Sequence, residues 1–308
     1  MTQSPHTFKS TLQAMAFAAA GYSFFAFGDV ILKWLTKSYG VSEILFFVGV
    51  MGAILTGAII VRQRGWRGLS SAHLRWHALR TLCAVLSTFF VVHAFSLIPM
   101  TDLYGIVFLS PLVIAVMSHF FLGERIGWHR IAAIIAGFCG VIVLAGPQFE
   151  SHNMGIIYAL MSVLFIACGG IAVRKSRTEK NFLLYALYPL LGNALFNLPL
   201  MLPGFKTPAP GDLMLIFILI VFSTIGTLFY ARGFSRAHTT AVVAPFHYIQ
   251  MLWGVLFGLV FFGDVPAPTT LAGAAIIIGA GLYLVWREHV HHSRALVVVS
   301  AAEAGTAF

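Results

Sequence analysis

The sequence predicts an all-α integral membrane protein with ten transmembrane helices. Three observations lead to this prediction: a very low charged fraction, ten apolar blocks of membrane-spanning length, and an uneven distribution of positive charge. Of the 308 residues, 59% are hydrophobic and only 9% are charged, whereas soluble domains carry about 25% charged residues. So few charges cannot cover a water-facing surface, but a lipid-facing surface needs none.

Apolar residues are concentrated in ten blocks, each close to the roughly 20 residues that a helix needs to cross a bilayer core. The blocks cover residues 12–33, 43–61, 78–98, 103–122, 129–146, 154–173, 182–202, 212–232, 240–262 and 269–286. They are continuous runs without the apolar–polar alternation of membrane β-barrel strands. We therefore predict helices.

Lysine and arginine lie mainly on one predicted side of the membrane. With the N-terminus in the cytoplasm, only Lys33, Lys37 and Lys206 of the 19 basic residues fall on the opposite side. Such an excess of positive charge on the cytoplasmic side usually sets orientation. It predicts that both termini are cytoplasmic and that the net charge of +9 reflects topology, so no nucleic-acid partner is expected.

The ends of the chain and its cysteines add little chemistry. Residues 1–11 are predicted to be a cytoplasmic tail, and residues 289–308 a flexible cytoplasmic tail. Cys83, Cys139 and Cys168 lie inside predicted helices and form no CxxC pair, which gives no support to a zinc site or a disulfide framework. We expect neither a metal nor a cofactor.

The chain divides into two similar halves, residues 12–150 and 151–288. Phe95-Ser96 corresponds to Phe234-Ser235, and Leu122-Gly123-Glu124 to Phe262-Gly263-Asp264, at an offset of 139–141 residues. Each half holds five predicted helices, an odd number, so the second half enters the membrane with the opposite orientation. Inverted repeats of this kind are typical of carriers whose binding site lies near the midplane of the bilayer.

Each half carries a set of short motifs. The first copy contains Ser96-Leu97-Ile98-Pro99, and the second contains Ala244-Pro245-Phe246-His247-Tyr248 and Gly281-Leu282-Tyr283. These motifs resemble the drug/metabolite transporter superfamily, EamA type. The segments Gly28-Asp29 and Lys33-Trp34-Leu35 are similar to the branch that contains S-adenosylmethionine and riboflavin carriers. The resemblance covers roughly residues 12–288.

The resemblance implies a secondary transporter, and not an enzyme, in the bacterial inner membrane. It would move an amino acid, a nucleoside-like or vitamin-like compound, or a drug by alternating access, as a monomer or homodimer in the lipid bilayer. Proton coupling and facilitated exchange both remain open. The chain has no Gly-Lys dipeptide and therefore no ATP-binding phosphate loop.

Two other functional classes were weighed against transport. The first is an integral-membrane enzyme acting on lipid-like substrates, which would need clustered carboxylates or histidines; the sequence has no HExxH and no Asp-x-Asp motif. The second is a channel, but no segment resembles a selectivity filter. A carrier is therefore the preferred interpretation.

Asp29 is the most informative single residue. A charged side chain at the centre of a membrane helix opposes insertion by about 2.5–3.5 kcal/mol, so such residues usually pair or serve a function. Lys33 follows at i+4, so on a helix the two side chains share a face and can pair. Asp29 is predicted to be either a substrate or proton site facing a cavity, or half of an ion pair near the interface.

The ninth predicted helix holds the densest group of polar and aromatic side chains. Small-molecule sites combine apolar walls with a few polar groups, and aromatic faces attract cations. The alternative is ordinary helix packing, with Trp253 facing lipid. The candidate substrate-binding residues here are Phe246, His247, Tyr248, Gln250 and Trp253.

Two further candidates lie in the first half. His93, deep in the third predicted helix, is expected either to bind substrate or relay a proton, or to hydrogen-bond a neighbouring carbonyl. Tyr104, near the start of the fourth, is expected to line the outer vestibule. Because the sequence shows neither an acidic cage nor an arginine-rich cavity, we expect a neutral, zwitterionic or cationic substrate.

Overall fold

The computed structural model describes most of the chain, and every regular element in that part is a helix. The predicted C-terminal tail and the turn containing Glu124 lie outside the described residues. The described residues are 5–71, 74–122, 127–146, 149–175, 181, 183–236, 244–283 and 286–287.

Eleven α-helices follow one another through the described residues. They are α1 Pro5–Leu35, α2 Val41–Arg64, α3 Leu74–Leu97, α4 Met100–Val107, α5 Ser110–Leu122, α6 Trp128–Ala145, α7 Phe149–Lys175, α8 Leu184–Met201, α9 Pro210–Arg236, α10 Ile249–Phe257 and α11 Pro268–Tyr283. Helix α1 thus begins inside the segment predicted to be a tail.

Seven segments are long and apolar enough to cross a membrane, with α4 and α5 together forming one of them, and three shorter apolar helices accompany them in the described part of the chain. Each of these ten segments overlaps one predicted apolar block. The prediction of a multi-pass, all-helical membrane protein is confirmed. Large apolar side chains also face outward, as Leu195 at 74% and Ile142 at 73% exposure show, which fits a lipid-facing surface.

Two membrane segments are broken at proline. Between α4 and α5 the chain turns at Phe108 and Leu109, two residues before Pro111. In the second half, α10 is preceded by a short 3₁₀ segment, Ala244–Tyr248, which contains Pro245. Proline lacks an N–H group and clashes with the preceding turn, so it interrupts the regular hydrogen-bond ladder. Both interruptions lie beside the candidate site.

The helices pack in pairs drawn from different halves of the chain. Helix α1 packs along α9, α3 along α7, α2 along α8, and α4 contacts α10. Glycine makes the closest crossings: a Cβ atom at Gly21 would lie 2.8 Å from the backbone nitrogen of Tyr230, and one at Gly49 would lie 2.6 Å from that of Ala194. Small residues of this kind let membrane helices approach backbone to backbone.

Candidate functional site

The centre of the candidate site is a hydrogen bond between α1 and α4. The Tyr104 hydroxyl donates to Oδ2 of Asp29 at 2.7 Å. The tyrosine is buried at 5% exposure, whereas the aspartate is half-buried. A carboxylate that receives a single hydrogen bond from a hydroxyl can still accept hydrogen bonds from a ligand, or it can take up a proton.

The predicted pairing of Asp29 with Lys33 is wrong. The ammonium group of Lys33 instead forms a 2.7 Å ion pair with Asp264, which follows α10, and lies 3.3 Å from the carbonyl oxygen of Ile98. Sharing a helical face permits an i, i+4 contact but does not require it. Lysine has a long side chain with three donors, and here it reaches two acceptors that other helices supply.

Phe108, at the break between α4 and α5, joins the two halves of the site. Its ring meets the edge of His247 at 5.1 Å and of Tyr248 at 5.0 Å between centroids. On its other side Phe108 stacks with Tyr104 at 6.5 Å. The broken segments therefore face each other with aromatic rings, in a range where such pairs attract.

The aromatic contacts continue to α1 and α9, and we call the rings of Phe108, His247, Tyr22 and Tyr230 the aromatic wall. The imidazole of His247 stacks on Tyr22 at 4.8 Å, and Tyr22 meets the edge of Tyr230 at 5.7 Å. Gln250 is buried at 8% exposure and lies within hydrogen-bonding reach of His247. These two polar side chains of the ninth predicted helix therefore contact protein.

Trp253 also faces protein. Its indole Nε1 donates to the Ser23 hydroxyl of α1 at 2.8 Å. The ring packs between Phe27 at 5.4 Å and Phe257 at 5.0 Å. Phe246 contacts a separate apolar patch at the start of α1. Trp253 thus anchors α10 against α1, next to the helical turn of α1 that contains Asp29.

His93 does not join this cluster. Its Nδ1 lies 2.8 Å from the carbonyl oxygen of Phe89, one turn earlier in α3. Its ring contacts Phe89 at 4.2 Å and Tyr158 of α7 at 5.4 Å. The structure therefore places His93 in the packing interface between α3 and α7.

A cavity of about 150 Å³ lies beside the cluster, between α2, α8 and α9. None of the eight predicted site residues lines it. Its polar lining comes from hydroxyl groups, and a Cβ at Gly28 would lie 3.5 Å from one of them, Ser223 Oγ, next to the Asp29 turn. The hydroxyl residues are Thr56, Ser223, Thr224 and Thr227.

Three residues of the cluster were missed in the sequence. Tyr22 stands seven residues before Asp29, which is two helical turns and the same face, so this spacing was a usable signal. Phe108 and Tyr230 gave no local signal, because phenylalanine and tyrosine are frequent in membrane helices. Among the described residues, no group of three or more His, Cys, Asp or Glu side chains is placed to hold a metal.

This arrangement, with one carboxylate and several rings among apolar helices of membrane-spanning length, is that of an integral membrane protein. The chain belongs to the EamA-like transporter family, whose model matches residues 12–146 and again residues 153–287. The resemblance expected from the motifs is thereby confirmed.

Several relatives are transporters by name. The chain is 27% identical over 260 residues to the S-adenosylmethionine uptake transporter of Rickettsia conorii, covering 84% of this chain and 88% of the relative. It is 26% identical to the pseudopaline exporter of Pseudomonas aeruginosa PAO1, covering 84% and 91%. It is 24% identical to the riboflavin transporter of Brucella anthropi, covering 87% and 97%.

A solved crystal structure shares the fold, with a TM-score of 0.59 at 18% identity, covering 88% of this chain and 96% of that chain. Family and relatives together place the protein among small-molecule transporters and not among enzymes, as the sequence predicted.

Proposed function

We propose that this chain is a secondary transporter for a small organic solute that carries a positive charge and a planar ring. The observation that carries the proposal is the Asp29 carboxylate, which is fixed by Tyr104 beside the aromatic wall. In the described part of the chain, the one salt bridge joins Lys33 to Asp264, so no cation lies within 4 Å of Asp29. Its charge is therefore available to a ligand.

S-adenosylmethionine is the substrate class that fits this site best. Its sulfonium centre and amino group suit a carboxylate, and its adenine suits the faces of Tyr22, His247 and Phe108. Riboflavin would use the rings but has no cation for Asp29. The names of the relatives include both compounds, and the unpaired carboxylate favours the first.

Alternating access between two inverted five-helix halves, residues 12–150 and 151–288, is part of the proposal. If α4 and α5 together are counted as the fourth membrane segment, each segment of the first half corresponds to the segment five places later in the second half. Under this correspondence the α1–α9 pair is equivalent to the α7–α3 pair. The α2–α8 and α4–α10 pairs map onto themselves. This exchange pattern supports a two-fold relation between the halves.

The size of the cavity supports movement during transport. A volume of about 150 Å³ accommodates a molecule the size of benzene, whereas sites for drug-sized ligands measure about 300–1,000 Å³. A nucleoside-like substrate would require the helices to separate. We further propose the bacterial inner membrane as the location, cytoplasmic termini, and Asp29 as the group through which a proton could be coupled.

The proposal is tested by uptake of radiolabelled S-adenosylmethionine into proteoliposomes, with and without a pH gradient. Asp29→Asn should reduce uptake at least tenfold, because the variant keeps the shape of the side chain and removes its charge. Asp212→Asn, which changes a carboxylate outside the cluster, is the control and should leave the rate within about twofold. Unchanged rate and pH dependence in Asp29→Asn would refute the role of Asp29.

A further inference from the structure

Arg80 is a cation of the protein interior that the cluster does not explain. It lies in the second turn of α3 and is half-buried. Its guanidinium donates to the carbonyl oxygen of Tyr185 and lies 4.8 Å over the ring of the same residue. Both contacts point across to α8, and Tyr230 of α9 lies within electrostatic reach.

The contacts of Arg80 differ from those of an interfacial anchor. Arg75, five residues earlier, is exposed and lies 5.4 Å over the adjacent Trp76 ring, as expected for a side chain at headgroup depth. Arg80 instead lies against a backbone carbonyl and rings from two other helices. An ionised side chain directed into a membrane bundle marks a functional site by default.

Arg80 has no counter-ion among the residues that the structure describes. The ion pair found in the described chain joins Lys33 to Asp264, and the ring beside the guanidinium is the neutral phenol of Tyr185. The Tyr185 carbonyl accepts one hydrogen bond, and a guanidinium has five N–H donors in a planar fork. A carboxylate matches that fork with two parallel hydrogen bonds.

Arg80 is connected to Asp29 by the same aromatic wall. Tyr230 lies near Arg80 and meets the edge of Tyr22 at 5.7 Å. Tyr22 precedes Asp29 by seven residues on α1, which is a rise of about 10 Å. Among the described residues, neither Asp29 nor Arg80 thus has an ion-pair partner, and the rings of Tyr230 and Tyr22 lead from Arg80 towards α1, where Tyr22 stands two helical turns from Asp29.

We infer that Arg80 is a substrate-binding residue that takes the carboxylate of a zwitterionic substrate, while Asp29 takes the cationic part. This inference rests on the proposed function and deepens it, because it names an extended zwitterion as the substrate class.

The test compares two ligands that differ only in the carboxylate, S-adenosylmethionine and its decarboxylated form. Binding of each to the purified protein is measured for the native chain, Arg80→Gln, Arg80→Lys and the control Arg75→Gln. The native protein and Arg75→Gln should bind the zwitterion about 10- to 100-fold more tightly, as expected for a charge-assisted hydrogen bond. Arg80→Gln should bind both ligands equally, and Arg80→Lys should keep part of the preference.

The outcomes separate the two proposals. If Arg80→Gln keeps the native preference, or if the native protein prefers the decarboxylated ligand, the role of Arg80 is overturned and the transporter proposal stands. Binding of the decarboxylated ligand by Arg80→Gln verifies that this variant is folded. If neither ligand binds to the native protein, the proposed substrate class fails and the Arg80 inference falls with it.

A phosphate group of an anionic lipid, like the carboxylate of the expected ligand, is an anion that can accept two parallel hydrogen bonds from a guanidinium. Thermal stability is therefore measured in nanodiscs with and without phosphatidylglycerol. A stabilisation by this lipid that Arg80→Gln abolishes, together with an unchanged ligand preference, would assign the guanidinium to the lipid and overturn the inference.

Discussion

The ammonium group of Lys33 lies 2.7 Å from Oδ2 of Asp264, which ties the end of α1 to the turn after α10. The same nitrogen lies 3.3 Å from the Ile98 carbonyl oxygen, between α3 and α4, and 4.8 Å from the Phe262 ring centroid. Three separate parts of the chain therefore meet at one end of the bundle, on the side predicted to face away from the cytoplasm.

Breaking this ion pair should favour opening at that end. The two side chains are 11% and 25% exposed, so the pair should contribute about 1–2 kcal/mol, between the values for exposed and buried pairs. In a chain with its native cysteines replaced, Thr101→Cys reports access, because Thr101 is fully buried. Lys33→Gln should raise its labelling rate by an impermeant maleimide about 5- to 30-fold.

Lys37→Gln is the matched control for this experiment. Lys37 contacts the rings of Trp34 and Phe262 and is exposed, so its neutralisation should leave labelling unchanged. Exchange of the two charges, with Lys33→Asp and Asp264→Lys together, should restore slow labelling. Equal labelling of the native chain, Lys33→Gln and Asp264→Asn would contradict a closing role.

Tyr104→Phe should weaken the binding of S-adenosylmethionine about tenfold. The hydroxyl orients the Asp29 carboxylate, and a hydrogen bond to a charged group contributes about 1.5 kcal/mol or more. Calorimetry on the purified variant measures the change. In an Asp29→Asn background the same substitution should add less than about twofold, since the charge to be oriented is gone. Full additivity would argue against Tyr104 as a positioning residue, and Tyr283→Phe serves as the control.

Gly281→Ala should destabilise the protein by about 1–3 kcal/mol through overpacking. A Cβ at Gly281 would lie 1.9 Å from the Tyr248 hydroxyl oxygen and 3.2 Å from its Cζ. Adding Tyr248→Phe removes the closest atom and should recover most of the thermal stability in detergent. Gly279→Ala, in the same helix with nothing within 4 Å, should be neutral or slightly stabilising. A single-variant loss that Tyr248→Phe does not relieve would show that another contact limits this position.

The Tyr39–Asp212 contact predicts loss of stability at high pH. The Tyr39 hydroxyl, between α1 and α2, donates to Oδ2 of Asp212 at 2.5 Å. This bond holds the proton and raises the pKa of Tyr39 above its usual value of 10.0. A raised pKa means that the stabilisation is complete below the pKa of the unfolded chain and is lost as pH rises through the higher folded value.

Thermal unfolding at pH 8 and at pH 11 tests this sign. At pH 8 the native chain should have a higher melting temperature than the Tyr39→Phe variant, and this difference in melting temperature should be smaller at pH 11. A constant difference across this range would show that ionisation of Tyr39 does not affect stability.

Much of the fold was predictable because lipid as a solvent leaves a simple pattern in the sequence. Each apolar helix of the structure overlaps a predicted block, since every membrane helix must satisfy its own backbone and show lipid an apolar surface. The irregular backbone next to Pro111 and Pro245 also has a local cause, because the missing N–H is a property of the residue itself. The inverted relation between the halves and the orientation of the termini remain predictions.

The site was predictable only in part. The sequence named His247 and Gln250 as candidates of one predicted helix, and the structure places them within hydrogen-bonding reach of each other, with His247 beside Phe108. The pairing of Lys33 failed because its partner Asp264 stands 231 residues away, beyond any local rule. The roles assigned to His93 and to the aromatic residues still await the binding experiments.

The sequence by itself determined the helices, their apolar surfaces and the family, because these depend on composition and on short-range spacing. The tertiary structure decided which charges meet. In the structure Lys33 forms an ion pair with Asp264, Asp29 accepts a hydrogen bond from Tyr104, and Arg80 donates a hydrogen bond to α8. The physical reason is that a charge inside the membrane bundle is stabilised by whichever partner packing brings within about 4 Å, and packing joins residues that are distant along the chain.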